Sequence, residues 1–287
     1  MKTKTHTAPA TAPESASEMN LIVRCSELHK LMTKAQGKSP RDKYTDAIDS
    51  LHKKEQRLKS MNPETKTASD LREGVKKLKA EIKALKPYKD DLLLSDTCRT
   101  WLKEKAAEHV YGYKIQIENK YLSKGIMVED DSIELLNSVF FTDYQKNTER
   151  KNATVNGVEW LTGECDIDTG EEIRDVKSSW SLETFPKFKE DAEKKVKASG
   201  YDWQMRGYML LWDHRQAVVD FCLVDTPPEL LSDYDDWDLH EVDHIEPSKR
   251  ITSVLVERDL DLESEMIERY TFANRFYKEC IVELINK

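Results

Sequence analysis

One stretch limits the choice of fold more than any other: TGECDIDTGEEIRDVKSSW, residues 162 to 180. Successive side chains of a strand point to opposite faces. Alternation therefore predicts that Glu164, Asp166 and Asp168 share one face, and that Asp175 and Lys177 share another. The Asp168–Thr169–Gly170–Glu171 stretch can turn the chain back, so the two sets meet in a hairpin. Like charges held that close repel. Either these side chains face water, or something binds them. Hard oxygen ligands of this kind suit Mg²⁺ or Mn²⁺. A lysine beside such an ion can orient a water and stabilise charge developing on a phosphate. One or two ions would then serve phosphodiester hydrolysis. The competing reading is a solvated, charged surface hairpin, because D-x-K alone recurs by chance in many proteins.

The rest of the chain narrows the classes. Its 287 residues give room for one large domain, or one domain with a smaller appendage. No run of about 18 apolar residues is present, so no membrane span is expected. Residues 1–19 lack the apolar core of a signal peptide and read as a disordered tail, with the cytoplasm as the expected location. Five scattered cysteines (Cys25, Cys98, Cys165, Cys222 and Cys280) argue against a disulfide framework, and no CxxC or Cys/His cluster suggests zinc or an iron–sulfur centre. The net charge of −9 hides an asymmetry: residues 1–124 carry a net +9 and the remainder −18. A basic N-terminal part can attract a polyanion while the rest clusters carboxylates.

Periodicity places the elements. Ser26 before Leu28, Leu31 and Met32 looks like a capped helix start. Residues 45–61 and 69–88 read as helices broken at MNPET, and Leu71, Val75, Leu78, Ile82 and Leu85 recur as a heptad seam. Arg72, Lys76, Lys79, Lys83 and Lys86 follow it one residue later as a basic stripe. A helix is expected over 96–109, then strands near 148–155, 158–168 and 171–178. Two helical pieces broken at Gly200 follow, then a strand at QAVVDFCLVD, a very acidic loop over 225–246, a strand at RITSVLVERD and a helix over 261–285 with Met266, Ile267, Tyr270, Phe276, Tyr277 and Ile281 on its core side. The fold class is α/β (α+β): a central mixed sheet flanked by helices, with the helical hairpin at 45–88 inserted near the N-terminus.

Two further segments bear on the hairpin. In YDWQMRGYMLLW, Gln204 and Tyr208 are four apart and share a helix face that Leu211 continues. In SKGIMVEDDSIELL, Glu129 and Asp130 open an amphipathic helix with Ile133 and Leu136 on its apolar side. An acid in a first turn is ordinary helix chemistry, and it can also complete a metal site.

Taken together, these residues resemble the PD-(D/E)XK nuclease superfamily, in its RecB-type and lambda-exonuclease (YqaJ-type) phage branch. That pattern is a helix with a Gly then an acid, a G-x-x-D strand, a (D/E)-x-K strand and a helix bearing Q-x-x-x-Y. Here the parts stand in order as Gly125 with Glu129, GECD ending at Asp166, DVK as Asp175 and Lys177, and QMRGY as Gln204 and Tyr208. The resemblance spans about 120–226, and RCSELHKLMT is similar to the N-terminal Ser-containing segment of YqaJ-type exonucleases. It divides the chain into residues 20–44 as the first part of the nuclease domain, the inserted hairpin, and a restriction-endonuclease-like core over 89–287. It implies that Glu129, Asp166 and Asp175 bind Mg²⁺, with Mn²⁺ able to substitute and the Val176 carbonyl helping. Lys177 would assist the attacking water, and Gln204 and Tyr208 would complete the catalytic pocket. Cys165 stands where many relatives carry Pro, Glu164 and Asp168 are spare acids, and His109 is the candidate for the histidine that relatives carry upstream. The iron–sulfur CRISPR-associated subgroup is rejected, since of its C-terminal cysteines only Cys280 has a counterpart.

The implied function is a Mg²⁺-dependent exonuclease on DNA, double-stranded with free ends, serving phage recombination or repair. The resemblance also admits a recombination partner protein and a homo-oligomer. A non-catalytic nucleic-acid-binding or assembly protein on the same fold, and a restriction-like endonuclease, are the alternatives.

Overall fold

The computed structural model describes residues 4–6, 19–115 and 119–287, and for 4–6 and 115 the backbone alone. The expected N-terminal tail thus lies outside the described residues, apart from Met19 and the short strand β1 (Lys4–His6), which pairs antiparallel with β3 (Tyr113–Ile115). The chain divides into two compact units, Thr33–Arg99 and Met1–Met32 with Thr100–Lys287.

The smaller unit is a helical hairpin. Helix α2 (Pro40–Lys59) opens with a capping box: the Ser39 hydroxyl accepts from the Asp42 N–H at 3.0 Å, and the Asp42 carboxylate accepts from the Ser39 N–H at 3.0 Å. Pro40 at the first helical position gives up a donor that would be unpaired there anyway. Helix α3 (Lys66–Leu85) is capped by Thr65. Leu71, Val75, Leu78, Ile82 and Leu85 are its half-buried positions, so the heptad seam is the packing seam. The basic stripe from Arg72 to Lys86 is exposed.

The larger unit carries two mixed sheets. In the first, β4 (Lys151–Val155) and β5 (Val158–Gly163) form an antiparallel hairpin across Asn156–Gly157, and β2 (Val23–Arg24) runs parallel to β5. Asn156 and Gly157 both have positive φ, 51° and 77°, as the two-residue hairpin turn requires. In the second, the order is β6 (Ile167–Asp168), β7 (Ile173–Ser178), β8 (Gln216–Cys222) and β9 (Ile251–Glu257). Strands β7 and β8 are parallel, and the crossover between them holds α7 (Lys189–Ser199) and α8 (Tyr201–Trp212). Gly200, at φ 72°, separates those two helices. A short turn and α1 (Leu28–Leu31) follow β2, α4 (Asp96–Tyr111) precedes β3, and α5 (Lys120–Met127) and α6 (Glu129–Phe140) precede β4. Helix α9 (Leu260–Ile285), capped by Asp259, closes the chain.

The mixed α/β class is the one expected, but three local expectations change. One continuous sheet becomes two hydrogen-bonded sheets, because the strand foreseen over 158–168 breaks after Gly163 and resumes at Ile167. The Gly-then-acid helix becomes two helices, since Val128 (φ −111°, ψ 18°) separates Gly125 in α5 from Glu129 at the start of α6. Helix α5 itself carried no periodic signal strong enough to be foreseen. Among the described residues no helix is long and apolar enough to cross a membrane, and all five cysteines are buried.

Helix α6 is fixed on the second sheet by an apolar cluster: Val128, Ile133, Leu135 and Leu136 against Ile167, Val176, Cys222 and Val224. Helix α8 approaches the chain after β2 so closely that a Cβ on Gly207 would lie 2.6 Å from Leu28 Cδ1 and 2.8 Å from Cys25 Sγ. These two packings set the site between α6, α8 and β7.

Candidate active site

The break between β5 and β6 decides the fate of the acidic hairpin. Pairing of β6 with β7 stops at Ile167↔Arg174. Beyond it, Asp166 Oδ2 accepts the Val176 N–H at 2.7 Å, taking over a donor that a continuous ladder would have given to a carbonyl. The alternation itself survives, with Cys165 and Ile167 buried and Glu164 and Asp168 exposed, but the three acids differ in what they contact. Glu164 is exposed and pairs with Arg150 at 2.8 Å. Asp168 is exposed, 2.9 Å from His214 Nε2, and its carboxylate accepts the Gly170 N–H at 2.9 Å. Burial opposes that charge, but the Gly170 and His214 contacts hold the carboxyl below its ordinary range. Only Asp166 turns to the interior beside β7.

Asp175 and Lys177 do share a face. Asp175 is 1 % exposed, and Lys177 Nζ lies 2.5 Å from its Oδ2. The Lys177 ammonium is thus the partner of this buried oxygen, and the contact opposes the rise of the Asp175 carboxyl. The other oxygen accepts from Gln204 Nε2 at 3.3 Å. Gln204 also donates to the Tyr208 hydroxyl at 3.0 Å, and Tyr208 donates to the Glu164 carbonyl at 2.9 Å. One chain of contacts thus runs Lys177–Asp175–Gln204–Tyr208–Glu164, tying β7 to α8 and to the strand break.

The titration of the group follows from its crowding. Burial, then the charge of Asp175, pushes the Asp166 carboxyl up to about 7 against its ordinary 3.8. Burial also pushes Asp175 up, with Lys177 opposing it. Burial alone would lower Lys177, but Asp175 and Asp166 outweigh it and hold the ammonium above its ordinary range. Burial and the Asp175 charge keep the Tyr208 hydroxyl protonated. Two carboxylates compete for one cation here.

These groups stand at a cleft of about 640 Å³. Asp166, Val176, Lys177 and Gln204 line it, with Gly125 and Glu129 from the α5–α6 junction. Glu129 reaches the cleft, but its carboxylate pairs with Lys146 at 3.0 Å. Among the described residues, no three His, Cys, Asp or Glu side chains converge as a ready ligand set. The donor set nevertheless fits a hard cation. Asp175 offers a buried carboxylate whose charge only Lys177 offsets closely, Asp166 carries a raised carboxyl, and Glu129 borders the same space.

His109 is not part of this cleft: its Nδ1 lies 3.0 Å from the Tyr277 hydroxyl, on α4. The N-terminal segment instead supplies Ser26 and His29, with His29 Nδ1 3.0 Å from the Ser26 carbonyl. Lys146, Tyr201 and Trp180 also went unforeseen. Tyr201 places its ring 4.9 Å from Lys177 Nζ, and a Tyr following the helix-breaking Gly200 was its only signal. Gly163, first residue of GECD, has a steric reason to be glycine. A Cβ there would lie 2.6 Å from Cys25 Sγ, 2.9 Å from Tyr208 Cε1 and 3.0 Å from Leu211 Cδ1.

Comparison with known proteins places this architecture. No protein-family model matches the chain, and neither does any curated protein. Among solved structures, a phage-related exonuclease from Haemophilus somnus 129PT is similar at 31 % identity and a TM-score of 0.71, over 94 % of this chain and 100 % of that one. An alkaline exonuclease from Laribacter hongkongensis, LHK-Exo, is similar at 12 % identity and a TM-score of 0.49, over 92 % of each chain. The same enzyme in complex with dAMP gives 14 %, 0.44, and 67 % and 85 % coverage. At 31 % identity over the whole length of the Haemophilus protein, the chain belongs to the phage-related exonuclease family.

Proposed function

We propose that the chain is a metal-dependent DNA exonuclease of PD-(D/E)XK type, with its centre at Asp166, Asp175 and Lys177. The observation that carries this reading is the crowding of two buried carboxyls, Asp166 and Asp175, on the single ammonium of Lys177. Two buried carboxylates on one ammonium leave negative charge uncompensated, and a divalent cation offsets it. Asp166 and Asp175 would hold Mg²⁺, with the Val176 carbonyl and Glu129 as further oxygen donors. When bound, such an ion lowers the pKa of a water and offsets charge on the leaving oxygen.

The chain's own residues do the rest. Lys177, charged and within 2.5 Å of Asp175, orients the attacking water and stabilises charge gathering on the phosphate. Gln204 fixes the Asp175 carboxylate by its second oxygen, and Tyr208 fixes Gln204 against the Glu164 carbonyl. That second layer holds the carboxylate within the tolerance that hydrolysis needs. Lys146, paired with Glu129 in this structure, would be free for a substrate phosphate if Glu129 held the ion.

Action from DNA ends, rather than internally, is supported by the Haemophilus exonuclease and by the phage-type resemblance. The same resemblance supports a place in phage recombination or repair in the host cytoplasm, and a homo-oligomeric enzyme working with a recombination partner. The test compares Asp175→Ala and Lys177→Ala with the parent in release of acid-soluble nucleotides from linear double-stranded DNA with Mg²⁺. Loss of about 10²-fold or more in both is expected. Equal digestion by either variant refutes the assignment. Covalently closed circular DNA separates the endonuclease alternative, because an exonuclease leaves it intact. The Glu129–Lys146 pair favours the non-catalytic alternative, and a parent that releases no nucleotide would select it.

A further inference from the structure

Helix α5 gives the cleft Tyr121, Leu122, Gly125 and Ile126, yet it is docked in an unusual way. Of its eight residues only Lys124 is buried, at 1 % exposure. Tyr121, Leu122, Ile126 and Met127 are all exposed. A surface helix is ordinarily held by its apolar stripe. Here the one side chain that enters the core is a lysine.

Its contacts are complete. Lys124 Nζ donates to the Trp180 carbonyl at 3.1 Å, to the Val224 carbonyl at 2.9 Å and to the Thr226 hydroxyl at 2.8 Å. Three donors meet three acceptors, the full capacity of an ammonium. None of the three is a carboxylate. Trp180 lies two residues beyond the end of β7, and Val224 two residues beyond the end of β8. The amine thus joins one helix to the ends of both parallel strands. The Thr226 hydroxyl carries the contact on, 2.9 Å from the Trp180 carbonyl and 2.9 Å from His240 Nδ1. At the start of α5, Lys120 pairs with Asp235 at 3.1 Å and lies 4.5 Å from the Trp180 ring, while Tyr121 meets that ring edge-on at 5.2 Å. Burial holds the Lys124 amine down to about 8, the mark of a desolvated group kept in place by geometry.

We infer that Lys124 is a positioning residue, pinning α5 to the ends of β7 and β8 and so setting one wall of the cleft. The inference rests on the reading of the cleft as the DNA site. Helix α6, with Glu129, is anchored separately by Ile133, Leu135 and Leu136. Asp175 and Lys177 belong to β7 itself. Releasing α5 therefore removes a wall that meets substrate and leaves the reacting groups where they are.

Two variants test it. Lys124→Glu sets a carboxylate against two carbonyl oxygens beside Asp225, and Lys124→Ala removes both the amine and its stem. Turnover on linear double-stranded DNA and amide hydrogen exchange of residues 120–127 are measured for each. The expected result is a KM raised about tenfold or more, a kcat within about threefold of the parent, and faster exchange confined to α5. A lysine that merely stabilised the fold would lower the fraction of active enzyme, so kcat would fall at unchanged KM. That pattern overturns the inference, and so does unchanged exchange in α5. If both variants fail to fold, Thr226→Val removes one acceptor and shifts both readouts in the same direction by a smaller factor; no shift overturns the inference. A parent that digests no DNA overturns the nuclease reading, and the role in the reaction falls with it. Exchange in α5 then still decides whether Lys124 docks the helix.

Discussion

Gly163→Ala is the most informative single change, because its consequence can be worked from three distances. The new Cβ would sit 2.6 Å from Cys25 Sγ, 2.9 Å from Tyr208 Cε1 and 3.0 Å from Leu211 Cδ1. Comfortable separation between such atoms is about 3.5–4.0 Å, so each neighbour must retreat by roughly 0.5–1 Å. Leu211 can turn its side chain. Cys25 and the Tyr208 ring have little room, since both are buried. Overpacking of this kind costs about 1–3 kcal/mol, and the stiffer unfolded chain returns about 0.4–1 kcal/mol. The variant should be about 1–2 kcal/mol less stable, read from its urea midpoint. Activity should fall further than stability. A ~1 Å retreat of Tyr208 breaks its bonds to Glu164 and Gln204, and misplacement on that scale costs on the order of 10²-fold in turnover. Adding Cys25→Ala opens the tightest contact and should recover part of the stability and little of the turnover. An unchanged midpoint with unchanged nucleotide release would refute the packing argument.

Other expectations rest on separate contacts. Tyr208→Phe leaves the Glu164 carbonyl and one Gln204 contact without a partner, so it should cost about 1–3 kcal/mol by denaturation and lower turnover with it; full activity would contradict the positioning chain. Lys146→Ala removes the pairing of Glu129 at 3.0 Å and should raise Mn²⁺ affinity about two- to fivefold by calorimetry, the size of an exposed pair; equal affinity would mean that Glu129 takes no part in metal binding. The Lys124 amine titrates at about 8 in the fold against an ordinary 10.5, so the folded state holds this proton less tightly than the unfolded chain. The resulting penalty is complete below about pH 8 and fades as pH rises toward 10.5, with Asp225 opposing it and His240 the other titratable neighbour. The parent should therefore gain up to about 3 kcal/mol relative to Lys124→Ala between pH 7.5 and 10.5. A difference that stays flat across that range would contradict it.

Much of the fold could be read from periodicity, and much of the site from spacing. The heptad positions of α3 are half-buried, because a seam of apolar residues needs only a partner helix to be satisfied. Asp175 and Lys177 share a face because β7 runs unbroken beside β8 through both residues. One strand earlier the alternation of burial holds, with Cys165 and Ile167 buried between Glu164, Asp166 and Asp168. The sequence did not show the break in the ladder, where Asp166 captures the Val176 N–H. Such a capture depends on what lies across the break, which no local pattern records. Helix α5 was missed for a related reason. Its inward residue is Lys124, so its polarity runs against the rule by which buried faces are recognised. Lys146 reaches Glu129 and His29 lines the cleft from segments outside the four motifs, and only the fold brings them there.

The central claim is that Asp166 and Asp175 hold a divalent ion. The most direct measurement is a crystal soaked in Mn²⁺, with the anomalous signal located. The account predicts a peak about 2.0–2.2 Å from a carboxylate oxygen of each of Asp166 and Asp175, with Glu129 released from Lys146 toward it. A well-ordered crystal in which Mn²⁺ appears elsewhere, or in which Lys177 still sits alone against Asp175, would contradict it.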